Sequence, residues 1–169
     1  MTVATTERTG FRQPLTLSAG GLEVAFEWAG DRWRHRITHD GRLVAESMEG
    51  PGPDGDPRWP ASPAFQEVSA ADAAGRRVLL AVGAAGRSHF SASFSADPAA
   101  ADTVLVDVAC RFQEPPGPLG TTYRTAAGAV VRVDAEAGPP PRTTRWCYRV
   151  GPGGVVPGAA AEAAPAGPG

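Results

Sequence analysis

Apolar and polar positions alternate most regularly in the middle of the chain. Val104, Val106, Val108, Cys110 and Phe112 fall on one face, and Asp107 and Arg111 fall on the other. A period of two over this length marks a strand with one buried face. Arg76 to Phe112 as a whole reads as three antiparallel strands. The same alternation appears at Leu22, Val24, Phe26 and Trp28, set against Glu23, Ala25 and Glu27. It returns at Trp33, His35 and Ile37, set against Arg32, Arg34 and Arg36. Asp40-Gly41 is the strongest hairpin signal in the chain, with Arg42 to Met48 as the partner strand. Further strands are predicted over Pro14 to Ser18, Pro63 to Val68, Leu119 to Thr125, Ala129 to Asp134 and Thr143 to Val150. Ser69 to Ala74 reads as a weak helical turn or a loop.

Helical periodicity is nowhere sustained. Roughly ten short strands separated by Gly and Pro turns predict an all-β fold, an antiparallel β-sandwich, jelly-roll-like or similar. The expected organisation is a flexible N-terminus over residues 1–10 and one sandwich domain over 11–150. A Gly-, Pro- and Ala-rich tail over 151–169 holds too little to bury and is expected to be disordered.

Register follows from keeping the apolar faces together. A two-residue turn at Asp40-Gly41 pairs His39 with Arg42 and, counting back, sets His35 opposite Glu46. That is an imidazole–carboxylate pair on the apolar side, or else a core histidine satisfied by a neighbour. On a strand, His35 and His39 are ~13 Å apart, too far to share a metal ion. The arginine stripe shares its side with Glu23 and Glu27 and reads as cross-strand ion pairing more readily than as an anion-binding face. In the central strands, matching Val78 and Val82 to Phe94 and Phe90 sets Gly83 opposite His89. The next turn then sets Phe90 opposite Val108 and Phe94 opposite Val104. His89 lies opposite Ala109, diagonal to Asp107 and Arg111. A slip of two residues would set it directly opposite one of those two, so every register that buries the phenylalanines gives His89 an ionic neighbour.

Composition narrows the function classes. Lysine and asparagine are absent and the net charge is -2, whereas nucleic-acid binders usually carry a basic excess. No run approaches the ~20 apolar residues of a membrane span, and MTVATTERTG lacks the apolar centre of a secretory signal. The expected location is cytoplasmic, with Cys110 and Cys147 as reduced packing or surface residues. There is no G-x-S-x-G, P-loop, H-E-x-x-H or C-x-x-C motif, and no cofactor or metal is expected. The segment Glu49 to Ser62 is long for a loop in a compact domain. Its Trp59 either pins the loop to the core or offers a stacking surface.

Several segments together resemble a group of small uncharacterised bacterial proteins. They are Glu49-Gly50, Trp59-Pro60-Ala61-Ser62-Pro63, Gly83 with Ala85 to Ser91, Ala109-Cys110-Arg111, and Leu119 to Tyr123. The resemblance spans most of residues 22–125 and implies no activity. It implies that Glu49, Trp59, His89, Arg111 and Tyr123 belong to one pattern. The position of Phe90 is often tryptophan in such proteins, which keeps an aromatic ring.

These readings predict a binding module for a polar small molecule, a sugar or a peptide segment. The candidate ligand-binding residues are His89, Arg111, Asp107, Trp59, Glu49 and Tyr123, with His35 and Glu46 as a secondary pair. One alternative is a structural protein that meets a partner chain through a sheet face or edge. Another is an enzyme with His89 as general acid or base, oriented by Asp107, and Arg111 holding an anionic group.

Overall fold

The computed structural model describes residues 12–158, which form twelve strands. The flexible segment expected over 1–10, and residues 159–169 of the expected tail, lie outside the described residues. In chain order the strands are β1 Leu15–Ala19, β2 Leu22–Trp28, β3 Trp33–His39, β4 Arg42–Ser47, β5 Glu67–Ala73 and β6 Arg76–Ala85. Then come β7 Ser88–Ala96, β8 Val104–Phe112, β9 Leu119–Thr125, β10 Val130–Ala135, β11 Arg142–Gly151 and β12 Gly154–Pro157. No described residue is helical.

The strands make two six-stranded antiparallel sheets packed as a β-sandwich. The first has the order β1-β2-β3-β4-β9-β10, the second β12-β11-β8-β7-β6-β5. The chain leaves the first sheet after β4, lays down β5 to β8 in the second, and returns beside β4. It finishes beside β8. Turn chemistry fits the hairpins: Asp40 and Gly41 both have positive φ, 48° and 78°. That conformation matches the twist of the strands it joins. Between the sheets, Phe26 and Phe94 meet edge to face at 5.0 Å. Leu17, Val24 and Ile37 from the first sheet and Leu79, Val106 and Phe112 from the second are among the residues that build the apolar core.

The structure corrects four expectations. Of the stretch Ser69 to Ala74, read as a helical turn or loop, Ser69 to Ala73 make up most of β5 and Ala74 begins the turn after it. As an outer strand β5 exposes Ser69, Ala70, Asp72 and Ala73, so no buried face imprints a period on its sequence. The parity of β6 is shifted by one. Leu79 lies opposite Phe94 and Gly83 opposite Phe90, so Leu79 and Ala81 are buried while Val82 faces outward. A Cβ at Gly83 would stand 1.9 Å from the Ala64 carbonyl oxygen, which makes glycine necessary at that inward position.

The third correction concerns His35. A bulge between Ile37 and Thr38 sets Ile37 opposite Ala45 and Arg36 opposite Glu46. Glu46 is therefore on the outer face, where it pairs with Arg36 at 3.9 Å; Arg34 pairs with Glu27 at 3.2 Å on the same side. The arginine stripe is ion-paired, as its register predicts, although Glu23 faces Thr38 instead.

The fourth is the tail. Residues 154–157 form β12, with Val155 opposite Val150, and Gly158 N–H donates to the Cys147 carbonyl at 2.9 Å. Deleting residues 153–169 uncovers the outer edge of β11. It is expected to lower the melting temperature by ~2–4 °C, the equivalent of ~1 kcal/mol in a chain of this size. An unchanged melting temperature would show that β12 adds nothing to stability.

Candidate functional site

Because Phe90 and Phe94 point into the core, His89 must point to the outer face of the second sheet. Backbone pairing then builds a straight rung across four strands: Ala84 of β6, His89 of β7, Arg111 of β8 and Thr143 of β11. The histidine and the arginine are direct cross-strand neighbours, the register reached by the two-residue slip. They border an open depression of about 540 Å³, whose floor is made of small residues including Gly83, Ala84 and Ala109. Among the described residues, neither His89 nor Arg111 is in a hydrogen bond or an ion pair.

Gln66 closes one end of the depression by a local device. Its side-chain amide accepts from Ala84 N–H at 2.7 Å and donates to the Ala84 carbonyl at 3.2 Å. It thereby continues the β5–β6 ladder beyond the last residue pair. Asp107 stands apart from this group. It lies opposite Ser93, four residues along β8 from Arg111 and so ~13 Å away. Arg145 holds it at 2.6 Å. The expected contact between His89 and Asp107 is not made.

Glu49, Tyr123 and His35 form a second, separate group between the sheets. His35 Nε2 is 2.6 Å from the Tyr123 hydroxyl, which is 2.7 Å from the Tyr148 hydroxyl. Close by, Thr121 Oγ1 accepts from the Trp146 indole N–H at 3.0 Å. His35 Nδ1 has no partner. A buried orphan N–H is costlier than an orphan lone pair, so we assign the proton to Nε2. The chain of donors then runs His35 to Tyr123 to Tyr148. Burial lowers the His35 pKa to about 3 and raises those of both tyrosines. All three rings are neutral over the ordinary pH range.

Glu49 joins through a hydroxyl. Ser47 Oγ accepts from the His35 backbone N–H at 3.0 Å and donates to Glu49 Oε1 at 2.8 Å. Burial pushes the Glu49 pKa up to about 7 against the opposing pull of Ser47 and the Arg32 guanidinium. A network of this kind fixes the relation of the two sheets, because breaking any link strands a buried polar group. Tyr123 and Tyr148 are 0% and 1% exposed, so neither ring offers a surface to a ligand, while Glu49 is half-buried.

Trp59 also belongs to the interior. It is 4% exposed and packs edge to face on Phe112 at 6.4 Å. The residues after it are sewn to β9. Ser62 Oγ donates to the Thr122 carbonyl and accepts from Thr122 N–H, while Thr122 Oγ1 donates to the Ala61 carbonyl at 2.7 Å. The sequence segments singled out above thus divide in two. Those around Trp59 and Tyr123 carry a long loop across the core, and those around His89 and Arg111 line the outer shelf.

Compared with protein-family models, curated proteins and solved structures, the chain matches none of them.

Among the described residues no group of His, Cys, Asp and Glu could hold a metal ion, and no helix is long and apolar enough to cross a membrane. Tyr148 and Ser47 of the buried network, Trp146 and Thr121 beside it, and Gln66 and Thr143 of the shelf, are additions to the sequence reading. The inward alternation of Thr144, Trp146, Tyr148 and Val150 was the available signal for Tyr148. Gln66 carried none, because its role depends on where β5 ends.

Proposed function

We propose that this protein is a binding module for a small polar molecule that carries a carboxylate or a phosphate. Its site is the outer shelf on which His89 and Arg111 stand side by side. The supporting observation is the electrostatic state of that rung. The next arginines along the same face are occupied, Arg145 by Asp107 at 2.6 Å and Arg149 by Asp97 at 3.2 Å. Arg111 has no such partner among the described residues, and a depression opens beside it. A guanidinium offers a planar fork that grips an oxyanion through two hydrogen bonds, and an imidazole alongside adds a third donor.

Trp59 pins its loop to the core rather than offering a stacking surface, which favours an anion-led mode over recognition of a sugar ring. Without a carboxylate to orient it, His89 is better suited to binding than to proton transfer. The cysteines support a reducing, cytoplasmic setting. Cys110 points into the core and Cys147 to the opposite side of the sheet, so the pair is not available as a disulfide staple.

Titration calorimetry with citrate and with inorganic phosphate tests the reading. Binding by the wild type and a loss of about tenfold or more in Arg111→Ala are expected, since a charge-assisted pair contributes ~1.5 kcal/mol or more. Thermal stability should stay near that of the wild type, because Arg111 is exposed. Affinity for both anions that is unaffected by Arg111→Ala would refute the shelf as the site.

A further inference from the structure

The shelf is one end of a longer feature. Beyond the His89 rung, the outward residues of β7 are Ser91, Ser93 and Ser95. A second depression of about 330 Å³ shares Ser91 and Ala109 with the first, and a third of about 380 Å³ shares Ser93 and Asp107 with the second. Together they form a trough along β7 that runs ~20 Å from His89 to Ser95. One wall is apolar: Val82 and Leu80, opposite Ser91 and Ser93, are 46% and 42% exposed. The other wall carries Arg145 and Arg149.

We propose that this trough holds an extended, acidic segment of polypeptide, with a carboxylate on Arg111 and His89 and its backbone along the three serines. The proposal rests on the reading of the shelf as an anion site and gives that site its ligand class. An extended peptide lying along β7 repeats every two residues, ~6.6 Å, which is the spacing of successive outward serines on the strand beneath it. β7 is an inner strand, bonded to β6 and to β8, so its own backbone is committed to the sheet. The serine hydroxyls, each donor and acceptor, supply what the peptide N–H and C=O groups need.

The apolar wall suits aliphatic side chains at alternate positions of such a segment. Charge favours an acidic one, because of the three arginines that line the trough, Arg145 and Arg149 are paired with carboxylates and Arg111, among the described residues, is not. A glycan fits less well. Sugar rings pack on aromatic faces, and on β7, β8 and β11 Phe90, Phe94, Phe112, Trp146 and Tyr148 all point into the core.

Fluorescence anisotropy and calorimetry on the full chain test this. The probes are acetylated, amidated hexapeptides of alanine, threonine and valine with one glutamate at either end, compared with acetylglutamate amide. One hexapeptide should bind at least tenfold more tightly than acetylglutamate amide. Ser93→Trp, which blocks the trough at its centre, should abolish that advantage and leave acetylglutamate amide binding unchanged. Ser93→Ala, which adds no bulk, should weaken the hexapeptide about threefold and serves if the tryptophan variant does not fold. Equal affinity for hexapeptides and acetylglutamate amide would overturn the peptide trough and leave the anion shelf standing. Oligogalacturonate binding that is tighter than the peptide and blocked by Ser93→Trp would overturn it in favour of a glycan. No binding of any probe, citrate and phosphate included, would remove the shelf and the trough together.

Discussion

Glu49→Gln is expected to stabilise the protein at pH 8 and to leave it nearly unchanged at pH 4.5. Burial raises the Glu49 pKa from 4.5 to about 7 in the folded chain. The unfolded chain releases this proton as pH rises through 4.5, whereas the folded chain holds it until about 7. Above 4.5 the folded state therefore binds more protons, and stability falls with pH until about 7. The full loss is on the order of 3 kcal/mol at 1.36 kcal/mol per pKa unit. Glutamine carries no such loss. His35 acts in the opposite sense. Burial lowers its pKa from 6.5 to about 3, so below 6.5 the unfolded chain takes up a proton that the folded chain refuses. Stability falls as pH drops from 6.5 towards 3, by up to on the order of 5 kcal/mol.

In the wild type the two slopes oppose each other between pH 4.5 and 6.5, and stability is nearly flat there. In Glu49→Gln only the histidine slope remains, and stability should climb through that window. Chemical denaturation at pH 4.5, 5.5, 6.5 and 8 reads the difference directly. A stability change that is the same at all four values would show that Glu49 does not titrate in this way.

The largest loss of stability is expected from Trp59→Ala, at ~3–5 kcal/mol, typical of a buried tryptophan reduced to a methyl group. The cost should fall at the high end. The indole fills the space against Phe112, and a Cβ on Gly117 would stand 2.6 Å from it, so the surroundings are already closely fitted to the ring. The same residue begins the stretch that bonds Ala61 and Ser62 to Thr122, so the loop loses its anchor as the core loses volume. Binding of citrate or phosphate at the shelf should survive below the lowered melting point. Small destabilisation together with loss of binding would return Trp59 to the ligand site.

Some of this was legible in the chain and some was not, for physical reasons. β2, β3 and β8 are read correctly because each has one buried and one wet face, and a period of two results. β6 is not, because Val78 to Val82 is apolar without interruption and both parities bury something. The side chain that faces inward is decided by the backbone passing at Ala64, which no local pattern reports. The His35–Glu46 pairing fails by one residue. Counting back from Asp40-Gly41 assumes an unbroken ladder, and the bulge at Thr38 breaks it. The carboxylate pair goes with the register, while the other reading of His35, a core histidine satisfied by a neighbour, holds, with the Tyr123 hydroxyl as that neighbour. The meeting of His89 and Arg111 survives its own register error, since a slip of two preserves faces. β12 is hidden by composition: two valines among glycines and prolines look like a tail until an open edge on β11 gives them a partner.

The order of strands in the first sheet also sets a timetable. β4 pairs with β9, and Ala45 meets Thr125, about 80 residues later in the chain. At the ~5–20 residues per second of synthesis, the edge of β4 stays uncovered for several seconds after it leaves the ribosome. During that interval His35 has no Tyr123 to bond, and the inner faces of β1 to β4 have no complete second sheet to lie on. The nascent half-sandwich is thus an adhesive surface awaiting its own later strands. Crowding, slow codons between residues 47 and 119, or a truncated message should show first as aggregation during synthesis, before any change in the finished protein.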